Sequence, residues 1–170
     1  MMKATRLCLL LLMSLVLVSA ASYLNGQERA PDGKADGEVV NGLRLDLTAG
    51  PGRDGQPKLK FRVTNAGKQP LRFVDNGPLF LDVADDQGNW QSFQHPRWRS
   101  DKVGTAFTFE PGHSEAEVEP VSAFAEIPPG TYRVRIAMAL DAGMLTKYPS
   151  EQLWTGVLRS NAVTMAVPPP

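Results

Sequence analysis

The sequence predicts an all-β protein: a single antiparallel sandwich of seven to eight short strands, preceded by a signal peptide and a flexible linker. Three observations carry that expectation. Apolar and polar residues alternate strictly over several short runs, Gly, Pro, Asn and Asp cluster between the runs, and no stretch beyond the amino terminus has helical periodicity.

Lys3 and Arg6 precede an apolar run from Leu7 to Val18 broken only by Ser14, and Ser19-Ala20 follows. A basic start, a short apolar centre and small residues at the cleavage point are the requirements of an export signal, so residues 1–20 are read as a signal peptide. The run is shorter than the roughly 20 apolar residues a membrane-spanning helix needs. The expected location is therefore periplasmic or secreted, with no integral membrane segment after cleavage. Residues 21–37, rich in Gly, Asp, Ala and charge, show no periodicity and form the expected linker.

The sandwich is expected over residues 38–167, with a Pro tail at 168–170. Leu43, Leu45 and Leu47 alternate with Arg44, Asp46 and Thr48 in a first half-buried strand. After the breaker Gly50-Pro51-Gly52, a second strand has Leu59, Phe61 and Val63 inward, and Asn65-Ala66-Gly67 is expected to supply positive-φ residues for a tight turn. Leu71 and Phe73 begin a third strand. Leu79, Leu81 and Val83 make the next, which Asp85-Asp86-Gln87-Gly88 turns back into a hairpin with Asn89 to Phe93. The segment from Gln94 to Phe107 is less regular. Glu115 to Glu119 then alternates without error, and Pro128-Pro129-Gly130 introduces the longest strand, whose stripe is Tyr132, Val134, Ile136, Met138 and Leu140. Val163, Met165 and Val167 form the last strand.

Composition excludes several classes. Losing the signal leaves sixteen basic against eighteen acidic residues, no basic excess to release counterions from nucleic acid. The single cysteine, Cys8, lies within the export signal, so the exported domain depends on its core alone. No cofactor motif is present, and neither a catalytic set nor a metal site is expected. Glu117 and Glu119 have the roughly 6.6 Å spacing of alternate strand residues, within the range for inverting glycosidases, but their face is expected to meet solvent without a pocket. Asp82, Asp85 and Asp86 beside Gly88 fail the EF-hand template and fit a hairpin turn better. His95 and His113 have no metal-pair spacing and are read as loop histidines, and no Ser lies in a nucleophile elbow.

Two surfaces stand out as candidate partner-binding sites. Trp90 to Arg99 is the densest aromatic and basic cluster; Trp90 and Phe93 are expected to close one end of the sandwich, while Trp98 with Arg97 and Arg99 is open to recognition. The connection from Asp141 to Leu153 carries Met144, Lys147 and Tyr148, and long loops in compact domains are often functional. Ala137, Ala139, Ala162 and Ala166 leave a small, flat outer face suited to docking or self-association.

Residues 59–67 with Pro70-Leu71-Arg72-Phe73, the turns Phe109-Glu110-Pro111-Gly112 and Ile127-Pro128-Pro129-Gly130, and the segment Trp154 to Val163 resemble bacterial immunoglobulin-like modules of exported proteins. The resemblance covers roughly residues 40–167 and implies the fold, without the inter-sheet disulfide of antibody domains. In the immunoglobulin strand order the second and fifth strands are neighbours. Lys58, Lys60 and Arg62 would then face Glu115, Glu117 and Glu119 in an outward charge ladder, or stand as independently solvated charges. The function expected is an exported, non-enzymatic binding module for a protein or envelope component, with a carbohydrate-binding module, binding polysaccharide through Trp98 and Tyr148, and a protease inhibitor as alternatives.

Overall fold

The protein is described by a computed structural model, in which residues 37–52, 55–74, 77–85, 87–96, 105–140 and 153–169 are placed. The expected export signal, most of the linker and all six candidate binding residues, Arg97, Trp98, Arg99, Met144, Lys147 and Tyr148, lie outside the described residues.

Eleven strands are described: β1 (Val39–Val40), β2 (Leu43–Pro51), β3 (Pro57–Asn65), β4 (Leu71–Val74), β5 (Leu79–Ala84), β6 (Trp90–Gln94), β7 (Ala106–Phe109), β8 (Ser114–Pro120), β9 (Gly130–Leu140), β10 (Gly156–Arg159) and β11 (Val163–Val167). The sole helical element among the described residues is a 3-10 turn, Val121–Ala123. One sheet runs β1-β2-β3-β8; a second runs β6-β5-β9 with both β10 and β11 on the far side of β9; β4 and β7 form a separate ribbon. All strand pairs are antiparallel. The fold is thus an all-β antiparallel sandwich, and no described helix is long and apolar enough to cross a membrane.

The alternating runs bury the faces they predict. Leu43, Leu45, Leu47, Leu59, Phe61 and Val63 from the first sheet meet Leu79, Leu81, Val83, Val134, Ile136, Met138 and Leu140 from the second. Tyr132, at the start of that stripe, is half-buried and donates its hydroxyl to the Pro128 carbonyl at 3.0 Å. Each such apolar side chain contributes about 1.5 to 3 kcal/mol on leaving water, which is why a run of four or five suffices to fix a strand's orientation.

Several local expectations change. Asn41 and Gly42 both have positive φ (48° and 86°) and close a two-residue hairpin between β1 and β2. Asn65 has no positive φ; its backbone stays in β3 and its side chain holds the following turn. The less regular segment contains β7, whose Phe107 and Phe109 oppose Phe73 and Leu71 of β4. The closing strand is divided: β10 and β11 pair with opposite ends of β9, and between them the Ser160 hydroxyl accepts from the Ile136 amide at 2.9 Å. There Asn161 turns inward and bonds both the amide (2.7 Å) and the carbonyl (3.0 Å) of Leu47, tying the two sheets together.

The largest departure concerns β8. It does lie beside β3, but Glu115, Glu117 and Glu119 oppose Val63, Phe61 and Leu59, so the glutamates share the inner face with the core. Lys60 and Arg62 oppose Val118 and Ala116 on the outer face, so no outward charge ladder forms. The sequence reading assumed that the smaller apolar residues must point in. At this edge strand the inner face is exposed at Glu115 and Glu117, so charged side chains can occupy it, while Val118 on the outer face is 54% exposed.

Candidate functional site

The inner face of β8 at Glu115 and Glu117 is one wall of a pocket of about 320 Å³ lined by Phe61, Val63, Phe73, Phe107, Phe109, Glu115, Glu117 and Met138. Phe61 and Val63 of β3 and Met138 of β9 make its floor, because alternation turns them to the interior. The β4–β7 ribbon makes the opposite wall. Phe73, Phe107 and Phe109 meet there with centroids 5.7 to 6.1 Å apart, and Phe107 stands nearly perpendicular to both neighbours at 83° and 78°. Edge-to-face contacts of this kind add about 0.5 to 1.5 kcal/mol per pair beyond burial, so the wall is preformed.

Asn65 holds that wall in place. It is wholly buried at the end of β3 and donates from Nδ2 to the carbonyls of Phe109 (2.7 Å) and Gln69 (2.9 Å), while Oδ1 accepts from the Gly67 amide (2.9 Å). Its backbone bonds His113 and Gly112 in the turn between β7 and β8. One residue therefore fixes the ribbon relative to the sheet edge. At the rim, the His113 ring lies edge-on to Phe109 at 5.0 Å and its Nε2 is 3.0 Å from Glu115 Oε1. The resulting site combines apolar aromatic walls with two carboxylates on a single side.

Two other polar clusters are structural. On the outer face of the second sheet, Arg135 Nε donates to Asp82 Oδ2 at 2.8 Å, the Ser92 hydroxyl donates to Asp82 Oδ1 at 2.5 Å, and the guanidinium lies 4.3 Å over the Trp90 ring. Trp90 thus sits outside the sandwich over an ion pair and does not close its end as expected, whereas Phe93 packs against the core. At the other end of β8, His95 is 1% exposed, packs edge-on to Phe124 at 4.8 Å, and its Nε2 is 3.8 Å from Glu119 Oε2. This histidine is a core residue facing a carboxylate, in contrast to the loop role its sequence context suggested.

These clusters separate the candidate carboxylates. Glu117 lines the pocket while Glu119 faces His95. Asp82 is taken by Arg135, and Asp85 closes the hairpin by accepting from the amides of Gln87 (2.9 Å) and Asn89 (2.7 Å) and from Asn89 Nδ2 (3.0 Å). The Asp85 carboxyl is held below its ordinary pKa, first by the Asn89 side chain and then by the Asn89 amide. Among the described residues no group of three or more His, Cys, Asp or Glu is arranged to hold a metal ion. Trp154 is buried; its indole donates to the Val40 carbonyl at 3.2 Å and its ring lies 6.2 Å from Phe73, behind the aromatic wall.

The pocket was missed at the sequence level because two of its parts, β7 and the inward glutamates, depend on register and not on local pattern. The available signal was the pair of phenylalanines in Phe107-Thr108-Phe109 just upstream of Glu115 and Glu117.

No family model and no curated protein matches this chain. Among solved structures it is similar to a Bordetella pertussis protein provisionally named ApaA, at 15% identity and TM-score 0.42, over 74% of this chain and 94% of that one. It is also similar to a structural-genomics target designated SoR45, at 13% identity and TM-score 0.41, over 77% of this chain and 91% of that one.

Proposed function

We propose that this protein is an exported, non-enzymatic, immunoglobulin-like binding module whose ligand enters the phenylalanine pocket between β8 and the β4–β7 ribbon. The observation that carries the reading is the pocket itself: a preformed aromatic cavity of about 320 Å³, open at its rim, while the two other polar clusters described, at Asp82 and at His95, are engaged in structural pairs. Concave apolar sites with a few placed polar groups are the usual form of a ligand site, and this volume is near the lower end of the roughly 300 to 1,000 Å³ range.

The order β2-β3-β8 against β6-β5-β9-β11 corresponds to strands A-B-E and C′-C-F-G of the immunoglobulin arrangement, which supports that part of the reading. Export rests on the amino-terminal signal pattern. The absence of catalysis is argued from geometry. Glu115 and Glu117 lie on one strand and one wall, so they do not flank a bond from two sides as glycosidase carboxylates do.

The test is a titration of the full chain with phenol, cyclohexanol and a soluble cello-oligosaccharide, followed by amide shifts in NMR spectra. Phenol should bind saturably and move the amides of Phe73, Phe107 and Phe109. Phe107→Ala, at a half-exposed wall position, should weaken it several-fold without unfolding the domain. Shifts confined to other surfaces, or tighter binding of the oligosaccharide elsewhere, would overturn the assignment.

A further inference from the structure

Among the described residues, the wall formed by β8 is also an unpaired sheet edge. β8 ends the four-stranded sheet, pairs with β3 alone among the described residues, and is exposed from Ser114 through Val118. Its outward backbone amides and carbonyls form a template for another strand, the hazard that native proteins manage with charged residues at edges. Here the charges are Glu115 and Glu117, which face the pocket, and Glu119, which faces His95.

Taking the pocket as the ligand site, we infer that its occupant is an extended segment of a partner protein with Lys or Arg at alternate positions, added as a strand along β8. The backbone of such a segment would satisfy the free edge, as in other strand-addition complexes. Its inward side chains would stand across from Glu115 and Glu117, at the roughly 4.5 to 5.5 Å Cβ separation of cross-strand pairs. The half-buried ring of Phe107 lies beyond, backed by the buried Phe109. A long aliphatic stem ending in a cation matches that sequence of surfaces: the methylenes cover the Phe107 ring while the head meets a carboxylate or lies over an aromatic face.

The same glutamates discriminate. A second copy of β8 would bring Glu against Glu, which is destabilising in a cross-strand pair. An uncharged apolar strand would draw these exposed carboxylates further out of water and offer them no cation. The edge is therefore closed to itself and to neutral strands, and open to basic ones, a specificity set by repulsion as much as by attraction.

The experiment measures fluorescence anisotropy of the full chain with a labelled short peptide alternating lysine and valine, its counterpart alternating glutamate and valine, and a lysine peptide N-methylated at alternate amides. The lysine peptide should bind, with Kd rising as salt is added, and the glutamate peptide should bind at least tenfold more weakly. Glu115→Gln with Glu117→Gln, both on an exposed strand, should weaken the lysine peptide by about 2- to 30-fold, the product of two cross-strand charge pairs. N-methylation should abolish binding although the charge is unchanged. Equal binding of the two charge types, or binding that survives N-methylation, would overturn the inference. So would a double variant that dimerises in sedimentation while its peptide affinity is unchanged, since the glutamates would then guard the edge and do nothing else. If phenol still binds the pocket while no basic peptide does, this inference fails and the pocket assignment stands; if neither binds, both fail.

Discussion

Replacing Asn65 by alanine should be among the most damaging single changes available in this protein, although it removes no apolar contact of note. The side chain makes three hydrogen bonds within the buried junction of β3, the β4–β7 ribbon and the turn before β8. At about 1 kcal/mol net for each bond, the loss comes to about 3 kcal/mol, and more if the Phe109 carbonyl finds no water. For a domain of this size that corresponds to a fall in Tm on the order of 10 °C. Asn65→Asp separates hydrogen bonding from size. It keeps the shape and the acceptor for Gly67 but cannot, when ionised, donate to Phe109 or Gln69. A carboxyl buried there would have its pKa raised on folding, so the variant's deficit relative to alanine should be largest at neutral pH and shrink as the pH falls toward 4. Urea unfolding of wild type, Asn65→Ala and Asn65→Asp at pH 7 and near pH 4 would measure this. A loss below about 1 kcal/mol for the alanine variant, or identical behaviour of the two variants at pH 7, would refute the argument that Asn65 holds the aromatic wall by hydrogen bonds.

Arg135→Met leaves Asp82 buried without its cation and should cost about 3 to 5 kcal/mol in chemical denaturation, whereas Asp82→Leu combined with Arg135→Met should recover most of that loss. Asp85 should titrate below the ordinary value of 3.8 in carbon-detected NMR. Because its folded pKa is depressed, its stabilisation of the hairpin is fully present above the unfolded value and is lost as pH falls through the folded one. Val118→Thr should change stability by no more than about 0.5 kcal/mol, because the side chain faces solvent; a loss above 1 kcal/mol would contradict the β8 register. Val134→Asp, at a position with no exposed surface, should prevent cooperative folding, as judged by loss of a thermal transition in soluble protein.

The sequence made the core strands legible because their apolar residues alternate: Leu43 to Leu47, Leu59 to Val63 and Val134 to Leu140 each point where a period of two sends them. Alternation has two phases, however, and choosing between them requires knowing which face is covered. For β8 the ordinary assumption that Val goes in and Glu goes out selected the wrong phase, because coverage depends on the β4–β7 ribbon, a tertiary feature. Asn41-Gly42 is a hairpin signal that was present in plain view, but β1 contributes only two residues and leaves no pattern of its own. Trp90 was misplaced for a related reason. An aromatic residue is expected in a core, yet its partner here is Arg135, a charge buried on the outer face by pairing with Asp82 across the sheet. His95 likewise has nothing in its sequence neighbourhood to announce Glu119 and Phe124.

The ends of the four-stranded sheet are unequal: β1 has two residues, and β8 has seven. A protein with strand-length edges at both ends could pass pairing from molecule to molecule and grow into a filament, as heterologous contacts do when they fail to close. Opposite β8, β1 pairs with only the first two residues of β2, and further along β2 the amide and carbonyl of Leu47 are already bonded by the Asn161 side chain, so among the described residues that end is unlike the β8 edge. A strand added along β8 therefore does not present the same edge again on the far side of the sheet, and the asymmetry works against the repeated, like-to-like pairing that a filament needs.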